Sequence, residues 1–586
     1  MLRFAQTCEA VAATTKKLEK TAIVADYLRS LPADEAANAA IFLSGRPFAA
    51  YKETTLQVGG SLLWRMISEL SGKSEQELTE SYRRHGDAGS VAAEVLAERP
   101  RAILSLAGVQ QAFTQIAAAR GPAAKSQLLR ALLQQAAPLE AKYIVKIISG
   151  DLRIGLKESL VEEAIAKAFE AALDDVKRAN MLLGDIGETL LLASASKLAQ
   201  AQMRLFHPID FMLASPVESA EEGLSYFENV AVEDKYDGIR AQAHVSRGEA
   251  RLFSRTRDEI TESFPELPPA LAGLPEGTIL DGEIIAWQVA PAPGRQDSSP
   301  GLEQGSETRR DDATASPGRA LPFSALQQRL GRKQVSEKMM RAVPVAYLVF
   351  DVLCAGGELL LDRPLRERAQ VLDQILAAPR TLTVSQSPAQ GRLGFDDEDP
   401  PGAAVLRAPV STARSPEDVE SLFAAARERG NEGLMIKDLE SNYTPGRRGK
   451  SWLKLKRELA TLDVVVTAVE YGHGKRIGVL SDYTFAIWDG DRLANIGKAY
   501  SGLTDAAIAE MTEWFLAHVI RDEGMRLQVE PKIVLEVAFN NMMRSSRHES
   551  GYALRFPRIV RLRPDKRPED ADTIETVREI YGRQQG

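Results

Sequence analysis

The feature that most constrains the fold is a change of hydrophobic pattern near residue 206. Before it, apolar residues recur at three- and four-residue spacing in segments such as KESLVEEAIAKAFEAAL, a spacing typical of amphipathic helices. After it, short β-type segments such as NVAVE, TILDGEIIAW and VAYLVFDVL follow one another. Because 586 residues are too many for one ordinary hydrophobic core, the pattern predicts separate helical and strand-containing domains.

Three domains account for the pattern. Residues 1–205 are predicted to form an all-α domain. Residues 206–459 mix strands with helical stretches such as PEDVESLFAAARERG, which indicates an α+β domain. Residues 460–586 are again rich in strands with one helix, which favours a small β-barrel of the OB-fold type.

Local patterns sharpen these predictions. In GIRAQAHV, residues 238–245, small or apolar side chains alternate with polar ones, which predicts a half-buried strand. The WDGDR stretch supplies an Asp-Gly hairpin turn in the C-terminal domain. The helix of that domain is predicted to begin near Thr504 and to carry four apolar residues on one face: Ile508, Met511, Phe515 and Val519.

Two segments of the central domain resemble insertions. Residues 288–320 are rich in Pro, Gly, Ser and charged residues and contain too few apolar side chains to order themselves. Residues 385–414 have the same character more weakly. We expect both to be surface loops or disordered excursions rather than domain boundaries.

Composition excludes several classes of protein. No apolar run approaches the roughly 20 residues that cross a bilayer, and the N-terminus does not have the pattern of a secretory signal. The two cysteines, Cys8 and Cys354, give no disulfide framework, and with six histidines they give no zinc-cluster spacing. We therefore expect a cytoplasmic protein that does not contact a membrane.

The net charge of −8 does not exclude a nucleic-acid partner, because binding uses local patches. Two runs, residues 447–457 and 544–567, are strongly basic. A charged run is most often only a solvated face. Here aromatic and periodic apolar residues interrupt both runs, which favours a structured surface.

The segment EDKYDGIR, residues 233–240, contains a lysine, Lys235, between a strand and the Asp237-Gly238 turn. A lysine at a strand end can direct its amine into a cleft. The pattern K-x-D-G is weak alone, because a surface lysine beside a tight turn looks the same. Glu233 lies two residues before Lys235 and, on a strand, shares its face.

Further segments follow in a fixed order: LFSRTRD, ILDGEIIAW, YLVFDVL, NEGLMIKD, YTPGRRGKSWLKLKR and RFPRIVRLRPDK. This ordered set, from about residue 233 to 567, resembles the motifs of the covalent nucleotidyltransferase superfamily, and its last two segments resemble the ATP-dependent DNA ligase branch. The N-terminal GDLRIGLKE, residues 150–158, is similar to the DNA-binding domain of cellular and archaeal DNA ligases. The resemblance covers nearly the whole chain, and the two insertions depart from it.

The resemblance implies a role for each motif residue. Lys235 is implied as the nucleophile that accepts AMP from ATP, and Phe350 as the ring that stacks on adenine. Glu432 is implied as a metal ligand, and Glu283 as a contact to the ribose or the metal. The remaining implied nucleotide contacts are Glu233, Arg240, Arg255, Arg448, Lys454, Lys456, Arg555 and Arg558.

Elementary chemistry explains why such a site needs these residue types. A lysine attacks phosphorus only as the free amine, a form that neighbouring cations and partial burial favour. Cations also neutralise a triphosphate and the charge that develops in the transition state. In-line displacement at phosphorus usually employs Mg²⁺ held by oxygen ligands. The GRRGKS segment is not a P-loop, because position 444 is a threonine where that pattern needs glycine.

The sequence thus predicts an enzyme that seals nicks in duplex DNA, working as a monomer through lysyl-AMP and DNA-adenylate intermediates. By resemblance, the C-terminal domain presents Arg555 and Arg558 to the triphosphate and then turns about a hinge near residues 457–463 to close over DNA. Two alternatives stay open. One is an RNA ligase or capping-type enzyme, and the other is a non-catalytic nucleic-acid-binding protein. The sequence does not predict whether the enzyme serves replication or repair, or which partners recruit it.

Overall fold

The computed structural model describes most of the chain in ten ranges, namely residues 1–52, 55–96, 104–289, 318–321, 323–330, 332, 334–377, 404–456, 460–473 and 476–585. Within these ranges, none of the helices has the length and apolar character needed to span a membrane. The chain divides into two compact units. One contains Met1–Gln202 together with Arg457–Gly586, and the other is Met203–Lys456.

The N-terminal domain is helical, as its periodicity predicts. Its core is built from aromatic rings that meet edge to face, with Phe4 against Phe42 and Tyr143, and Phe42 against Phe113. Each edge-to-face pair stabilises the fold by more than the burial of its apolar area alone would. The helices are α1 (Leu2–Ala12), α2 (Lys17–Arg29), α3 (Ala33–Leu43), α4 (Gly60–Ser71), α5 (Glu75–His85), α6 (Ala88–Val95), α7 (Leu106–Ala118), α8 (Pro122–Gln135), α9 (Pro138–Ile148), α10 (Glu158–Ala168), α11 (Leu173–Leu183) and α12 (Ile186–Ser194).

The central domain contains two β-sheets flanked by helices, which confirms the predicted α+β class. Its elements are β1 (Leu213–Val217), α13 (Ala220–Leu224), β2 (Val230–Lys235), β3 (Ile239–Ser246), β4 (Glu249–Ser254), α14 (Leu267–Leu271), β5 (Thr278–Val289), β6 (Gly318–Ala320), α15 (Phe323–Gln327), α16 (Glu337–Ala342), β7 (Val345–Ala355), β8 (Glu358–Leu359), α17 (Leu365–Ala377), β9 (Ala404–Arg407), β10 (Val410–Ser411), α18 (Pro416–Glu428), β11 (Gly433–Asp438) and β12 (Arg448–Leu455).

The first sheet has the strand order β1-β12-β11-β2-β10, and we call it the nucleophile sheet because Lys235, the predicted nucleophile, ends its strand β2. The second has the order β4-β3-β5-β7-β8, with β6 on β5 and β9 on β7, and we call it the glutamate sheet because Glu283 lies on its central strand. Each sheet buries one face in its own apolar core, and that face carries Val232 and Leu434 in the first and Ala243 and Leu280 in the second.

The strand β3 differs from its prediction. Gln242 and His244, expected to face solvent, are fully buried. The chain before β1 covers them, because the Gln242 amide donates to the carbonyl of Ile209 at 2.8 Å and His244 Nδ1 accepts from the backbone N–H of Phe206 at 3.0 Å. Burial lowers the pKa of His244 to about 3. Alternation predicted the strand correctly, but it could not show that a distant segment satisfies the polar side chains.

The two predicted insertions lie largely outside the described residues. At the first, residues 288–320, the described ends pair as antiparallel strands, with Gln288 opposite Arg319. At the second, residues 385–414, the prediction of a loop is wrong at its end. Strands β9 and β10 form there, because β9 pairs in parallel with the buried strand β7 and β10 pairs with β2.

The C-terminal domain is rich in strands, as predicted. The Asp-Gly turn joins β14 to β15, and α19 is capped by Thr504, whose hydroxyl accepts from the N–H of Ala507. Val519, predicted on that helix, belongs to β16 instead. The elements are β13 (Ala460–Tyr471), β14 (Leu480–Asp489), β15 (Arg492–Ala499), α19 (Asp505–Ala517), β16 (Val519–Asp522), β17 (Arg526–Val529), β18 (Val534–Phe539), β19 (Asn541–Arg544), β20 (Tyr552–Arg555), β21 (Arg558–Leu562) and α20 (Ile574–Gln585).

A buried ion pair joins helix α17 to the glutamate sheet and gives a stability prediction. Arg368 donates twice to Asp351, at 2.8 and 2.9 Å, and neither side chain is exposed. Removing one partner leaves the other charge buried without compensation. We expect Arg368→Ala to lower the free energy of unfolding of the central domain by about 3–5 kcal/mol, measured by calorimetry of the domain's transition.

The matched control is Arg366→Ala on the same helix. The Arg366 side chain is 46% exposed, and exposed ion pairs contribute only about 0–1 kcal/mol. Equal effects of the two substitutions would show that the Arg368 pair does not anchor the helix.

Candidate active site

Strand register gathers the site residues on one face of the nucleophile sheet. Glu233 lies opposite Met435, and Met435 lies opposite Lys454 on the next strand. Lys235 lies opposite Gly433. Because side chains alternate between faces along a strand, Glu233 and Lys235 share the face that carries Lys454. The opposite face of the same strands is the apolar core, which fixes the register.

Two lysines share one carboxylate at the centre of this face. The Nζ of Lys235 lies 2.6 Å from Oε2 of Glu432, and Lys456 forms an ion pair with the same oxygen. The backbone helps to hold the pair, because the N–H of Glu432 donates to the carbonyl of Lys235 at 2.8 Å. The side chains are only 23%, 18% and 27% exposed for Lys235, Glu432 and Lys456, respectively.

The charges at this centre shift the pKa of two of its groups. Burial raises the pKa of Glu432, but Lys235 and Lys456 outweigh it and bring the pKa down to about 2. Burial and the neighbouring Lys235 lower the pKa of Lys456, against the attraction of Glu432. Glu432 is therefore ionised at neutral pH, and it is a hard oxygen ligand of the kind that Mg²⁺ prefers.

The glutamate sheet contributes Glu283 and Arg240, which lie directly opposite each other on β5 and β3. Burial raises the pKa of Glu283 to about 7, although Lys235 and Arg240 act in the opposite direction. The influence of Lys235 on Glu283 places the two predicted site residues within electrostatic reach. Glu283 is thus a half-buried carboxyl within electrostatic reach of Lys235 and Arg240.

Arg240 is held rigidly. Its guanidinium donates to both oxygens of Asp281, at 3.0 and 2.6 Å, and to the carbonyl of Met212 at 2.7 Å. The hydroxyl of Tyr443 donates to Asp281 at 2.7 Å. The resemblance assigns Arg240 to the nucleotide, and the structure adds that a buried carboxylate fixes its orientation.

Aromatic rings line the side of the site near Glu233. The rings of Phe350 and Trp452 meet edge to face, with centroids 6.0 Å apart. Lys437, which lies opposite Trp452 in the sheet, brings its ammonium to within 2.5 Å of Glu233. Glu233 is thus placed beside the ring that was predicted to stack on adenine.

The remaining predicted nucleotide contacts of the central domain are cations. Arg255 follows strand β4 and Arg448 begins strand β12, and both are exposed. Burial lowers the pKa of Lys454, and the charges of Lys456, Arg448, Lys235 and Arg255 lower it further. The residues predicted to contact the triphosphate from this domain therefore share one electrostatic environment.

Arg555 and Arg558 belong to the other compact unit. They lie where β20 ends and β21 begins, and the guanidinium of Arg555 is 5.2 Å from the ring of Phe556. Their predicted contact with the triphosphate stays a prediction.

Sequence reasoning missed four residues of the site: Asp281, Lys437 as a partner of Glu233, Tyr443 and Trp452. Alternation could have found two of them, because Asp281 precedes Glu283 by two residues and Trp452 precedes Lys454 by two. Tyr443 lies in a loop, so nothing in the local pattern indicates that its hydroxyl reaches Asp281.

Sequence profiles described as "DNA ligase N terminus", "ATP dependent DNA ligase domain" and "ATP dependent DNA ligase C terminal region" match residues 1–166, 211–300 with 313–456, and 476–566, respectively. The chain belongs to the ATP-dependent DNA ligases. The ATP dependence and the three-part architecture predicted from the sequence are those of this family.

Relatives align with this ligase along its whole length. A probable DNA ligase of Koribacter versatilis is 59% identical over 99% of this chain and 96% of its own. A DNA ligase of Methanothrix thermoacetophila is 36% identical over 100% of this chain and 98% of its own. A solved structure titled Pmar-Lig_PreS3 shares the fold, with a TM-score of 0.59 and 16% identity over 96% of this chain and 99% of that one.

The glycine of the K-x-D-G segment gives a prediction for this ligase. A Cβ on Gly238 would lie 2.4 Å from the carbonyl oxygen of Ile284 and 2.8 Å from Cγ of Glu283, so the turn after Lys235 can pack on β5 only with glycine. Small displacements of reacting groups cost about 100-fold in rate. We expect Gly238→Ala to slow lysine adenylation by about that factor, measured in a single turnover with labelled ATP.

Gly273→Ala is the control, because a Cβ there meets no atom within 4 Å. Unchanged adenylation in Gly238→Ala would show that the close approach does not position Lys235.

The raised pKa of Glu283 gives a pH prediction. Its folded pKa of about 7 lies above the ordinary value of 4.5. Between about pH 4.5 and 7 the unfolded state therefore loses this proton while the folded state keeps it, and the free energy of unfolding falls as the pH rises. Glutamine cannot ionise. Without nucleotide, the Tm of Glu283→Gln relative to the wild type should therefore rise over this interval, measured by scanning calorimetry. Glu337→Gln, whose carboxyl is 76% exposed, should show no such trend, and a flat difference for Glu283→Gln would contradict the assignment.

Proposed function

We propose that Lys235 is the residue that this ligase adenylates. The amine nitrogen attacks the α-phosphorus of ATP, the bond from that phosphorus to the bridging oxygen of the β-phosphate breaks, and pyrophosphate leaves. The lysine gives up its proton, and a phosphoramidate bond to AMP remains. The observation that carries the proposal is the pairing of Lys235 with Glu432 and Lys456 on a half-enclosed sheet face.

The surrounding residues support the same reaction. Lys454, Lys456, Arg255 and Arg448 supply positive charge on the side where a triphosphate would develop negative charge. We propose that the base binds between Phe350 and Glu233. Arg240, held by Asp281, Met212 and Tyr443, is available to the ribose through the one remaining N–H group of its guanidinium.

A divalent cation fits the site. Glu432 and Glu283 are the residues that would hold Mg²⁺, and both offer the carboxylate oxygens that this ion prefers. When bound, the ion supplies neutralisation of phosphate charge. Two carboxylates suffice for such a role, because Mg²⁺ usually keeps waters and substrate phosphates in its remaining positions.

We propose nicked double-stranded DNA as the second substrate. AMP would pass from Lys235 to the 5′-phosphate of the nick, and the 3′-hydroxyl would then attack that phosphate and release AMP. Part of the basic run 544–567 is already neutralised, since Arg563 and Lys566 pair with Asp463 at 2.8 and 2.6 Å. We propose that the rest of this basic run contacts DNA phosphates.

The remaining assignments are proposals of the same kind. We place the domain boundaries after residues 205 and 459 and the hinge near residues 457–463, of which 457–459 lie outside the described part of the chain. We propose that the ligase works as a monomer in the cytoplasm, on nucleoid DNA.

A nucleotide and substrate panel tests the proposal against an RNA ligase or capping-type enzyme. The chain is incubated with labelled ATP or GTP and then with nicked DNA or nicked RNA. We expect labelling by ATP and sealing of nicked DNA. Labelling by GTP alone, or sealing of RNA alone, would favour the alternative, and binding to nicked DNA without any labelling would favour a non-catalytic protein.

Lys235→Ala should abolish self-labelling and leave the fold and the DNA affinity intact, because the substitution removes only the nucleophile. Labelling is followed by gel autoradiography and DNA binding by fluorescence anisotropy. Lys338→Ala, which removes an exposed lysine of the same domain, is the control and should label normally. Label retained in Lys235→Ala would assign the nucleophile to another lysine.

DNA affinity should fall steeply with salt, because each neutralised phosphate releases counterions. For about six phosphate contacts, the affinity should drop roughly 1,000-fold between 50 and 200 mM salt. Titrations at several salt concentrations measure the slope, and an affinity independent of salt would contradict a grip on the DNA backbone.

A further inference from the structure

Among the described lysines of the central domain, Lys437 is the most deeply buried, and the mechanism above gives it no role. Its side chain is 1% exposed, and that of its partner Glu233 is 4% exposed. The Nζ of Lys437 lies 2.5 Å from Oε2 of Glu233. Burying two opposite charges this deeply carries a desolvation penalty that a pair of apolar side chains would not have. Stability alone therefore does not explain the pair.

The ammonium of Lys437 is held from three sides. It lies 4.3 Å from the ring centroid of Trp452 and 4.4 Å from that of Phe350, both within range of a cation–π contact. Glu233 closes the third side. Lys437 is therefore placed to fix Glu233, and its charge is directed at the carboxylate and the two rings.

Lys437 determines which oxygen of Glu233 can accept a further hydrogen bond. An ionised carboxylate only accepts hydrogen bonds, whereas a protonated one also donates. Lys437 occupies Oε2 of Glu233 and leaves Oε1 with lone pairs of its own.

We propose that Lys437 is a positioning residue that makes this ligase select a 6-aminopurine over a 6-oxopurine. The inference rests on the proposed function, in which the base lies between Phe350 and Glu233. The 6-amino group of adenine donates hydrogen bonds and suits a carboxylate acceptor. The 6-oxo group of guanine or hypoxanthine accepts them and meets an unpaired negative charge.

The experiment compares ATP with ITP, whose base differs from adenine by a 6-oxo group and the N1 proton that accompanies it. Rates of lysine nucleotidylation are measured in single turnovers over a range of nucleotide concentrations. The selectivity is the ratio of the two rate-to-KM quotients. For Lys437→Met we expect the selectivity for ATP to fall about 10- to 100-fold, the range of a hydrogen bond to a charged group. Most of the change should be in KM.

Lys437→Arg retains the charge and should retain most of the selectivity. Lys125→Met is the matched control, since Lys125 is another buried lysine, 6% exposed, whose ammonium donates to the carbonyl of Leu56 in the N-terminal domain. It should leave the ratio unchanged. If Lys437→Met does not fold, Lys437→Gln removes the same charge with a polar side chain and is measured in the same way.

Equal losses with ATP and ITP in the neutral variants would overturn the inference, because a purely structural role affects both nucleotides alike. A wild-type chain that neither nucleotide labels would instead refute the proposed function. The two failures are therefore distinguishable.

Discussion

The structure of the site depends on one carboxylate, Glu432, shared by two lysines. Lys235 ends one strand of the nucleophile sheet, and Lys456 directly follows another, β12. Only one register of the strands brings both amines to the same oxygen. That register is fixed by the opposite face of the sheet, where Val232, Leu434 and Leu455 are packed away from water. The chemistry of one face thus rests on the hydrophobic pattern of the other.

Buried charge is arranged in pairs throughout the central domain. Arg240 with Asp281, Arg368 with Asp351 and Lys437 with Glu233 each place a carboxylate within hydrogen-bond distance of a cation. Replacing such a pair by well-packed apolar residues often costs nothing, whereas breaking it is expensive. Their value lies in orientation, since each holds a side chain in one geometry before a substrate arrives. Glu283 is different, because burial raises its pKa to about 7.

Much of this could be predicted from the sequence, for identifiable reasons. The helical and strand-rich parts follow from periodicity, and the match of ordered motifs indicated Lys235, Glu432 and the cations near residue 450. The burial of Gln242 and His244 on β3 could not be predicted, because the residues that cover them, 206–209, are distant in the sequence. The position of Val519 in strand β16 could not be predicted either, because the apolar spacing of α19 continues to Val519 although the helix ends at Ala517. The partnership of Lys437 with Glu233 depends on strand pairing between residues 204 positions apart, which no local pattern shows.

The central claim is that Lys235, paired with Glu432, carries the adenylate. The most direct measurement is mass spectrometry of peptides from the full chain after incubation with ATP and removal of pyrophosphate. We expect one AMP group on each modified chain, attached to the peptide that contains Lys235. An AMP group on a peptide that contains Lys454, Lys456 or Lys437 instead would contradict it.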